Sequence, residues 1–262
     1  MLFAALASLM LIPSAEAAPK AREWTVGDTK REAIVYLPAK AGKPAPVIFA
    51  FHGHGGTTAH AARTFAYQTH WPEAIIVYMQ GLPTPGKLTD PEGKKSGWQS
   101  GAGDQKDRDL KFFDDVLKSL TQEQKIDEKR IYCTGHSNGG GFTYTLWAER
   151  GNLFAAVAPS AAIPNQTTDV KNLKPKPCLH VAGSKDPLVK YDWQVRSMER
   201  ERRLNGCETA GKEWAKAGEL VGTEYASKTG TPYVSLIGPG SHTFPEDAPK
   251  LIVQFFQQHE KK

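Results

Sequence analysis

Short, wholly apolar runs recur along the chain from about residue 30 onward. In one of them Val47, Ile48 and Phe49 are consecutive, a pattern typical of a strand that is buried on both faces. The runs predicted as strands are Ala33–Leu37, Pro46–Phe51, Ala74–Met79, Arg130–Thr134, Phe154–Pro159, Cys178–Ala182 and Tyr233–Ile237. Because strands of this kind need cover on both faces, the pattern favours a mostly parallel sheet.

Segments with helical periodicity separate these runs. The apolar positions that share a helix face are Leu110, Phe113, Val116, Leu117 and Leu120, followed after the next strand by Phe142, Leu146 and Trp147. A last helix is predicted from about Ala248 to His259. Strands that alternate with helices, without a repeat or a linker, predict a single α/β domain over residues 18–262, with helices on both faces of the sheet.

The start of the chain has the pattern of a secretory leader. Residues 2–13 are apolar, and Ala15-Glu16-Ala17 follows as a small-x-small cleavage sequence. We expect residues 1–17 to be a signal peptide that is cut before Ala18, so that the protein is extracellular or periplasmic. A buried N-terminal helix is the alternative. No apolar run reaches the roughly 18–20 residues that cross a bilayer, so no membrane span is predicted.

The charge distribution indicates which partners to expect, and the positions of the cysteines indicate which thiols are buried. Lysine and arginine number 33 against 28 aspartates and glutamates, but they are spread along the chain and indicate no nucleic-acid partner. The densest cluster, Glu199–Arg203, mixes signs at helical spacing and is predicted to be a solvated helix face. Cys133 and Cys178 lie in predicted strands and are expected to be buried thiols, while the pairing of Cys207 stays open.

Gly135-His136-Ser137-Asn138-Gly139 is the strongest chemical signal in the chain. This G-x-S-x-G pentapeptide comes directly after one predicted strand and directly before the helical pattern that contains Phe142. In that context a sharp strand-to-helix turn presents the serine hydroxyl at the edge of the sheet, and the glycines avoid collisions within the turn. Ser137 is therefore the predicted nucleophile.

A serine hydroxyl needs a base that takes its proton and an acid that orients the base. In a sheet of this kind the acid and then the histidine follow later strands. Asp186 and His242 each come after a predicted strand in that order, so they are the predicted acid and base. Asp186 is also a candidate cap for a helix beginning near Leu188. His180, inside a strand, is expected to point into the core or against a helix.

Acyl transfer also needs amide donors for the developing oxyanion. The amide of Asn138 is one, because it follows the nucleophile. The glycine-rich loop Phe51–Gly56 stands where the second donor is expected; the His54 amide is preferred, and Gly55 is the alternative. His52 and His54 also suggest metal ligands, but no third ligand stands at a recognisable spacing. Neither a metal nor a cofactor is predicted.

One long irregular stretch, Gly81–Gln105, is rich in Gly, Pro, Lys and Asp. A loop of that length in a compact domain is often functional, and we expect it to wall a substrate cleft. Trp98 within this stretch and Trp193 are the predicted substrate contacts, as apolar or stacking walls for an acyl or sugar group. For each tryptophan, burial in the core is the alternative.

Together these motifs resemble the secreted polyhydroxybutyrate depolymerase and feruloyl esterase group of α/β-hydrolases, similar to bacterial esterases of carbohydrate esterase family one. The resemblance covers roughly residues 32–257. Its segments are His52–Gly56, Ile126–Tyr132, Gly135–Gly140, Leu153–Pro159, Gly183–Pro187 and Gly240–Pro245. It implies the α/β-hydrolase fold, a triad at Ser137, Asp186 and His242, and ester hydrolysis without a metal or cofactor. Two positions depart from the group's pattern, since relatives often have Cys in place of His54 and Trp in place of Phe244.

We therefore expect a secreted serine hydrolase of carboxylic esters that works through an acyl-enzyme. The expected substrates are small or oligomeric esters, such as feruloyl or acetyl esters of plant polysaccharides, or other short esters. The alternatives are a depolymerase of hydroxyalkanoate oligomers or polymers, a peptidase of the same fold, and a non-catalytic binding protein that has kept the fold.

Overall fold

A ten-stranded sheet forms the centre of the molecule in a computed structural model that describes residues 19–39 and 42–262. The strands are β1 Pro19–Val26, β2 Thr29–Tyr36, β3 Ala45–Phe51, β4 Ile75–Met79, β5 Leu82–Pro83, β6 Ser96–Gly97, β7 Ile126–His136, β8 Ala156–Ser160, β9 Cys178–Gly183, β10 Lys212–Ala217, β11 Leu220–Tyr225 and β12 Tyr233–Gly238. The helices are α1 Thr58–Phe65, α2 Tyr67–His70, α3 Arg108–Glu123, α4 Asn138–Arg150, α5 Tyr191–Leu204 and α6 Ala248–Gln257, with short 3₁₀ turns at Asp104–Asp107, Gly151–Leu153 and Val170–Asn172. The predicted signal peptide, residues 1–17, lies outside the described residues.

The strands are ordered β1-β2-β4-β3-β7-β8-β9-β12-β11-β10, and β5 pairs separately with β6. The six strands from β4 to β12 in this order pair in parallel, while β1, β2, β11 and β10 pair antiparallel at the two edges. The parallel centre is the part that the apolar runs predicted. Carboxyl ends of parallel strands meet along one edge of a sheet, and the loops that follow them therefore lie together.

Successive residues of β3 point to opposite faces of the sheet. Val47, Phe49 and Phe51 belong to a core that also contains apolar residues of α3, α4 and α5. Ile48 and Ala50 belong to a second core, with residues of α1, α2 and α6. The sheet is therefore covered on both faces, as the uninterrupted apolar strands predicted.

Three strands of the ten-stranded sheet were not predicted from the hydrophobic pattern. β1, β10 and β11 lie at or next to the sheet edges, and most of their residues are exposed or half-buried. A strand that buries little of its surface has no continuous apolar run, so its sequence resembles that of a loop. The central strands, which are fully buried, carried the signal.

The charged segment of α5 differs from its prediction. Within Glu199–Arg203, predicted to be a solvated face, Glu201 is completely buried. It lies on the inner stripe of α5 with Gln194, Ser197 and Met198, which are buried too. The mixed charges of Glu199–Arg203 therefore did not indicate which residue of this segment faces the sheet.

The structure also shows the state of the three cysteines and whether any described helix could span a membrane. Cys133 and Cys178 are buried free thiols, and Cys207 is a half-buried free thiol, so none of the three forms a disulfide. Among the helices of the described ranges, none combines the length and the hydropathy needed to cross a bilayer.

Candidate active site

The turn between β7 and α4 holds Ser137 in an unusual backbone conformation. Strand β7 ends at His136, α4 begins at Asn138, and Ser137 between them has φ 57° and ψ −120°. A non-glycine residue with positive φ is strained by about 1–3 kcal/mol. A Cβ atom on Gly139 would collide with the carbonyl oxygen of Phe51, so only glycine lets α4 pack this closely on the end of β3. The turn thus has the geometry of a nucleophile elbow.

Three side chains from three loops form one hydrogen-bonded line. The Ser137 Oγ atom lies 2.7 Å from His242 Nε2, and His242 Nδ1 lies 2.8 Å from Asp186 Oδ2. Because an ionised carboxylate can only accept, Nδ1 carries the proton, and Nε2 is free to accept from the serine hydroxyl. The structure therefore brings the sequence-predicted acid, base and nucleophile within hydrogen-bond distance of one another.

Asp186 is buried and fully hydrogen-bonded. Its Oδ1 accepts from the amides of Leu188 and Val189 at 2.9 and 3.0 Å, and its Oδ2 accepts from Gln194 Nε2 at 3.1 Å as well as from His242. The expected helix cap is corrected in part. Asp186 caps the turn at Leu188 and Val189, but α5 begins only at Tyr191. These bonds fix the carboxylate plane before any substrate arrives.

His136 supports the loop that carries His242. Its Nε2 lies 3.3 Å from the carbonyl oxygen of His242, and its Nδ1 lies 3.1 Å from Ser160 Oγ. Burial, with a smaller contribution from the nearby His242, lowers the pKa of His136 from 6.5 to about 4. The ring is therefore neutral at pH 7, so that Nε2–H donates to the carbonyl and Nδ1 accepts from Ser160.

The loop after β3 passes directly beside the nucleophile. A Cβ atom on Gly53 would come within 3.5 Å of Ser137 Cβ. The Gly55 amide donates to Ser96 O at 2.6 Å and is occupied, whereas the His54 amide has no hydrogen-bond partner among residues 19–39 and 42–262. Asn138 is the first residue of α4, where amides lack intrahelical acceptors. Of the two predicted alternatives, His54 is the one with a free amide.

The His54 side chain connects this loop to the stretch Gly81–Gln105. Its ring fits where Gly86 and Gly97 have no side chain, since a Cβ on either glycine would come within 2.8 Å of a ring atom. His54 Nε2 lies 3.0 Å from Asp90 Oδ2. Two backbone amides and this ring lower the pKa of Asp90, so the carboxylate is ionised at neutral pH.

His52 supports the same region and is not arranged as a metal ligand. Its Nε2 accepts from the Gly81 amide at 3.0 Å, which places the ring proton on Nδ1, 2.7 Å from Gly53 O. Burial lowers the pKa of His52 to about 4 and keeps the ring neutral. Within the described part of the chain, no three His, Cys, Asp or Glu side chains are grouped to hold a metal ion.

A cavity of about 480 Å³ opens beside Ser137 and Asn138. The stretch Gly81–Gln105 forms one wall, as expected from its length, and residues 162–167 form another. Trp193 lies in the lining and is 37% exposed, and its role as a substrate contact stays a prediction. Leu88, the most exposed of the large apolar side chains in the described ranges, lies in the lining too.

The interpretation of Trp98 as a substrate contact is wrong. Trp98 is completely buried and is not part of the cavity lining. Its ring stacks on Phe142 with centroids 5.3 Å apart, and its Nε1 donates to His52 O at 2.8 Å. Its backbone amide donates to Asn138 Oδ1 at 2.7 Å. Trp98 therefore belongs to the core beneath the site and orients the Asn138 side chain.

Two residues at the site had no prediction from the sequence. His136 is a variable position of the pentapeptide, and the sequence motifs do not include Gln194. Gln194, Ser197 and Glu201 are spaced three and four residues apart in a helix that follows Asp186. A polar stripe at helical spacing, directly after the predicted acid, was the available signal for Gln194.

The chain has the α/β-hydrolase fold, which confirms the predicted fold class. The acetyl xylan esterase of Aspergillus awamori superposes with a TM-score of 0.66 over 90% of this chain and 98% of that one, at 13% sequence identity. The sequence model of the prolyl oligopeptidase family matches residues 92–193.

In sequence the chain is similar to feruloyl esterases. It is 27% identical to feruloyl esterase B of Piromyces equi over 209 residues, which are 73% of this chain and 36% of that enzyme. It is 27% identical to a probable feruloyl esterase C of Aspergillus niger over 68% of this chain and 62% of that protein. The match thus spans less than two thirds of the length of either relative. These relatives confirm the resemblance to feruloyl esterases, whereas the resemblance to polyhydroxybutyrate depolymerases stays a prediction.

Proposed function

We propose that this protein is a serine hydrolase of carboxylic esters that works through an acyl-enzyme. The observation that carries the proposal is the line from Ser137 Oγ through His242 to Asp186, with contacts of 2.7 and 2.8 Å. The strained turn at Ser137 and the cavity beside it support the same reading. The names of the relatives, which are feruloyl esterases, support ester hydrolysis as the chemistry.

Acylation begins with attack of Ser137 Oγ on the ester carbonyl carbon. His242 Nε2 takes the hydroxyl proton, and Asp186 stabilises the imidazolium and holds its Nδ1–H. The carbonyl oxygen becomes an oxyanion, which accepts from the His54 and Asn138 amides; one such donor contributes roughly 2.7–4 kcal/mol. The intermediate collapses, the alkoxide takes the proton from His242, and the alcohol leaves.

Deacylation repeats these steps with water. His242 Nε2 takes a proton from a water molecule as its oxygen attacks the acyl carbon of the Ser137 ester. The oxyanion forms again before the same two amides. Collapse returns the proton to Ser137 Oγ and releases the carboxylic acid. This cycle uses side chains and backbone amides of the chain alone.

For the acyl group we propose a short or aromatic acid, such as an acetyl or hydroxycinnamoyl group carried on a carbohydrate alcohol. The cavity offers apolar surface from Leu88 and Trp193 and polar side chains from Gln105 and Asn165. An aromatic ring stacks favourably on an exposed tryptophan, with a gain of roughly 0.5–1.5 kcal/mol beyond burial. Relatives named feruloyl and acetylxylan esterases fit this class.

The experiment that tests the function compares Ser137→Ala with the wild type. Turnover of p-nitrophenyl acetate is expected to fall by roughly 10⁴–10⁶-fold, and labelling by a fluorophosphonate is expected to disappear. Ser119→Ala is the matched control, because Ser119 lies on α3 with its hydroxyl bonded to Trp24. A Ser137→Ala variant that keeps more than about a tenth of the turnover would contradict the assignment.

A substrate panel separates the remaining candidates. Methyl ferulate, acetylated xylan, short p-nitrophenyl esters, hydroxybutyrate oligomers and an aminoacyl p-nitroanilide are compared by kcat/KM. Preference for the oligomers would favour the depolymerase alternative. Preference for the anilide would favour the peptidase, which the match to the prolyl oligopeptidase family over residues 92–193 keeps in consideration. If the folded wild-type protein takes no fluorophosphonate label and hydrolyses none of these substrates, it would be assigned as a binding protein.

We propose in addition that the protein is secreted after removal of residues 1–17. The apolar run and the Ala15-Glu16-Ala17 sequence support this proposal. Intact mass and N-terminal sequencing of protein recovered from a secreting host are expected to show a chain that begins at Ala18. Recovery of an uncut chain from the cytoplasm of that host would contradict it.

A further inference from the structure

A chain of buried polar side chains runs from Asp186 away from the cavity. Gln194 Nε2 donates to Asp186 Oδ2 at 3.1 Å, and Gln194 Oε1 lies 3.1 Å from His180 Nε2. His180 Nδ1 lies 3.0 Å from the hydroxyl of Tyr144, which in turn lies 2.9 Å from Glu201 Oε2. All five residues are buried. The reaction sequence proposed above uses only Asp186, so the purpose of the other four is open.

The orientation of the Gln194 amide is fixed by its surroundings. Its nitrogen donates both to Asp186 Oδ2 and to the carbonyl oxygen of Val189, at 3.1 and 2.7 Å. A flipped amide would place its oxygen against these two acceptors, which is unfavourable in a buried site. The oxygen must therefore face His180, and it accepts from a proton on His180 Nε2.

His180 extends this constraint to Tyr144. Burial lowers the pKa of His180, so that the ring is neutral with its single proton on Nε2 and Nδ1 accepts a hydrogen bond. The neighbouring donor is Tyr144, whose pKa is raised well above 10 by burial and by Glu201, so its hydroxyl stays protonated. His180 thus holds the Gln194 oxygen in one position and is itself held by Tyr144.

Glu201 anchors the far end of the chain. Its Oε1 accepts from Ser197 Oγ at 2.7 Å and from Arg200 Nη2 at 3.1 Å, and its Oε2 accepts from the Tyr233 hydroxyl at 2.8 Å. The Tyr144 hydroxyl has a single proton, for which Glu201 Oε2 and His180 Nδ1 are alternative acceptors at 2.9 and 3.0 Å. The other donors hold the Glu201 carboxylate between α5 and β12, so the Tyr144 oxygen lies between two fixed acceptors.

We propose that Gln194 is a positioning residue for the catalytic acid, held in register by His180, Tyr144 and Glu201. The proposal rests on the function proposed above. Gln194 donates to the same oxygen of Asp186 that accepts from His242, so it sets where that oxygen lies relative to the imidazole. Because the Gln194 amide is a neutral donor, it fixes the Asp186 carboxylate without compensating its negative charge.

The first test replaces Gln194 by leucine, which has similar volume and no hydrogen bonds. We expect kcat/KM for p-nitrophenyl acetate to fall roughly 10–100-fold, by analogy with the loss when groups that orient metal ligands are removed. The acid limb of the kcat/KM profile is expected to move to lower pH, because a displaced carboxylate stabilises the imidazolium less. The rate of fluorophosphonate labelling, which needs no knowledge of the natural ester, is expected to change in parallel.

The second test, Gln194→Glu, keeps the shape of the side chain. It places two carboxyl groups in one buried site, which raises one of their pKa values. The variant is therefore expected to show an ionisation in its pH profile that the wild type lacks, with activity falling as the pair loses its shared proton. This variant keeps the inference falsifiable if Gln194→Leu does not fold.

The matched control is Asn205→Leu at the other end of α5. Asn205 is a buried amide that bonds the backbone of Lys176 through both its oxygen and its nitrogen, at 3.0 and 2.6 Å. Its loss is expected to lower the melting temperature without moving the pH profile. If the Gln194 variants behave like this control, or keep kcat/KM within about threefold of the wild type, the inference is overturned.

The failures of the two proposals are distinguishable. A wild-type protein that neither hydrolyses esters nor takes the fluorophosphonate label overturns the proposed function and this inference with it. If the wild type is active and the Gln194 variants keep its kcat/KM and its pH profile, this inference alone is overturned.

Discussion

Two buried aspartates of this protein have opposite kinds of partner. Asp109 on α3 lies 2.7 Å from the guanidinium of Arg31 and accepts from the Gln99 amide at 2.8 Å. Asp186 has no lysine or arginine in contact within the described residues, and its partners are two amides, Gln194 and His242. Both side chains are completely shielded from solvent.

The difference separates a structural acid from one suited to catalysis. A guanidinium is permanently charged, so Arg31 compensates the charge of the Asp109 carboxylate. Among the direct hydrogen-bond partners of Asp186 in the described ranges, two backbone amides and Gln194 are neutral donors, and His242 is the partner that can become a cation. No permanent cation in contact with Asp186 therefore competes for its charge with the imidazolium of the proposed reaction. Burial of a carboxylate alone would not have told the two roles apart.

The largest expected effect comes from neutralising Asp186, the acid that has no lysine or arginine in contact among the described residues. Asp186→Asn turns an amide nitrogen or a weaker acceptor toward His242 Nδ1 and disfavours the tautomer whose Nε2 accepts the serine proton. By analogy with the orienting acids of other triads, kcat should fall about 10⁴-fold. Turnover of p-nitrophenyl acetate and a thermal melt, measured on one preparation, check this. Loss of activity only in proportion to unfolded protein would contradict the catalytic role.

The next effect is expected in stability rather than in activity. Arg31→Met removes the nearer cation from the buried Asp109 and leaves only Arg108 Nε, 3.9 Å away, so it should lower the free energy of unfolding by about 3–5 kcal/mol. The double variant Arg31→Met/Asp109→Leu removes both charges and should recover much of that loss. Urea unfolding of the single and double variants gives the coupling energy directly. A double variant less stable than Arg31→Met would show that the pair is not the source of the effect.

The order of the site along the chain could be predicted from the sequence, because each part of it is local. Ser137, Asp186 and His242 each follow an apolar run, and parallel strands bring their carboxyl ends to one edge. The runs were recognisable since the central strands are buried on both faces. Thus the strand pattern and a pentapeptide together predicted the architecture and the three side chains that the structure joins.

The partners of that site could not be predicted in the same way. Trp98 and Trp193 had the same expectation, yet the first is buried against Phe142 and the second faces the cavity. Their difference depends on how a long loop returns to the core, which local periodicity does not encode. The burial of Glu201 could not be predicted either, because it depends on tyrosines from α4 and β12, which are distant in sequence.

Each acid also has a buried glutamine beside it, which allows a sharper comparison. Gln99 Oε1 accepts from the amides of Asp109 and Leu110 at 2.9 and 3.1 Å. Gln99→Leu leaves these buried amides without an acceptor and should cost about 1–3 kcal/mol of stability. Unlike the Gln194 variants, it should leave the pH profile of kcat/KM unmoved, which ester hydrolysis across the pH range checks. A shifted acid limb would remove the proposed distinction between the two regions.

The smallest expected effect is a dependence of stability on pH that arises from His136, near Asp186. The folded state holds His136 neutral down to about pH 4, whereas the unfolded chain takes up the proton near pH 6.5. Between these values the unfolded state binds more protons, so the contribution of His136 to stability is lost as the pH falls from about 6.5 to about 4, by at most ~1.4 kcal/mol per pH unit.

The comparison is made by urea unfolding of the wild type and His136→Gln at pH 7 and pH 5. The variant has no ring to protonate and is expected to lose less stability than the wild type between the two pH values, while His52 and His259, whose pKa values are also lowered to about 4, leave it some dependence. His60→Gln on α1 is the matched control, since that side chain is exposed, and should behave as the wild type. Equal pH dependence in His136→Gln and the wild type would show that the titrating groups of the Asp186 region do not include His136.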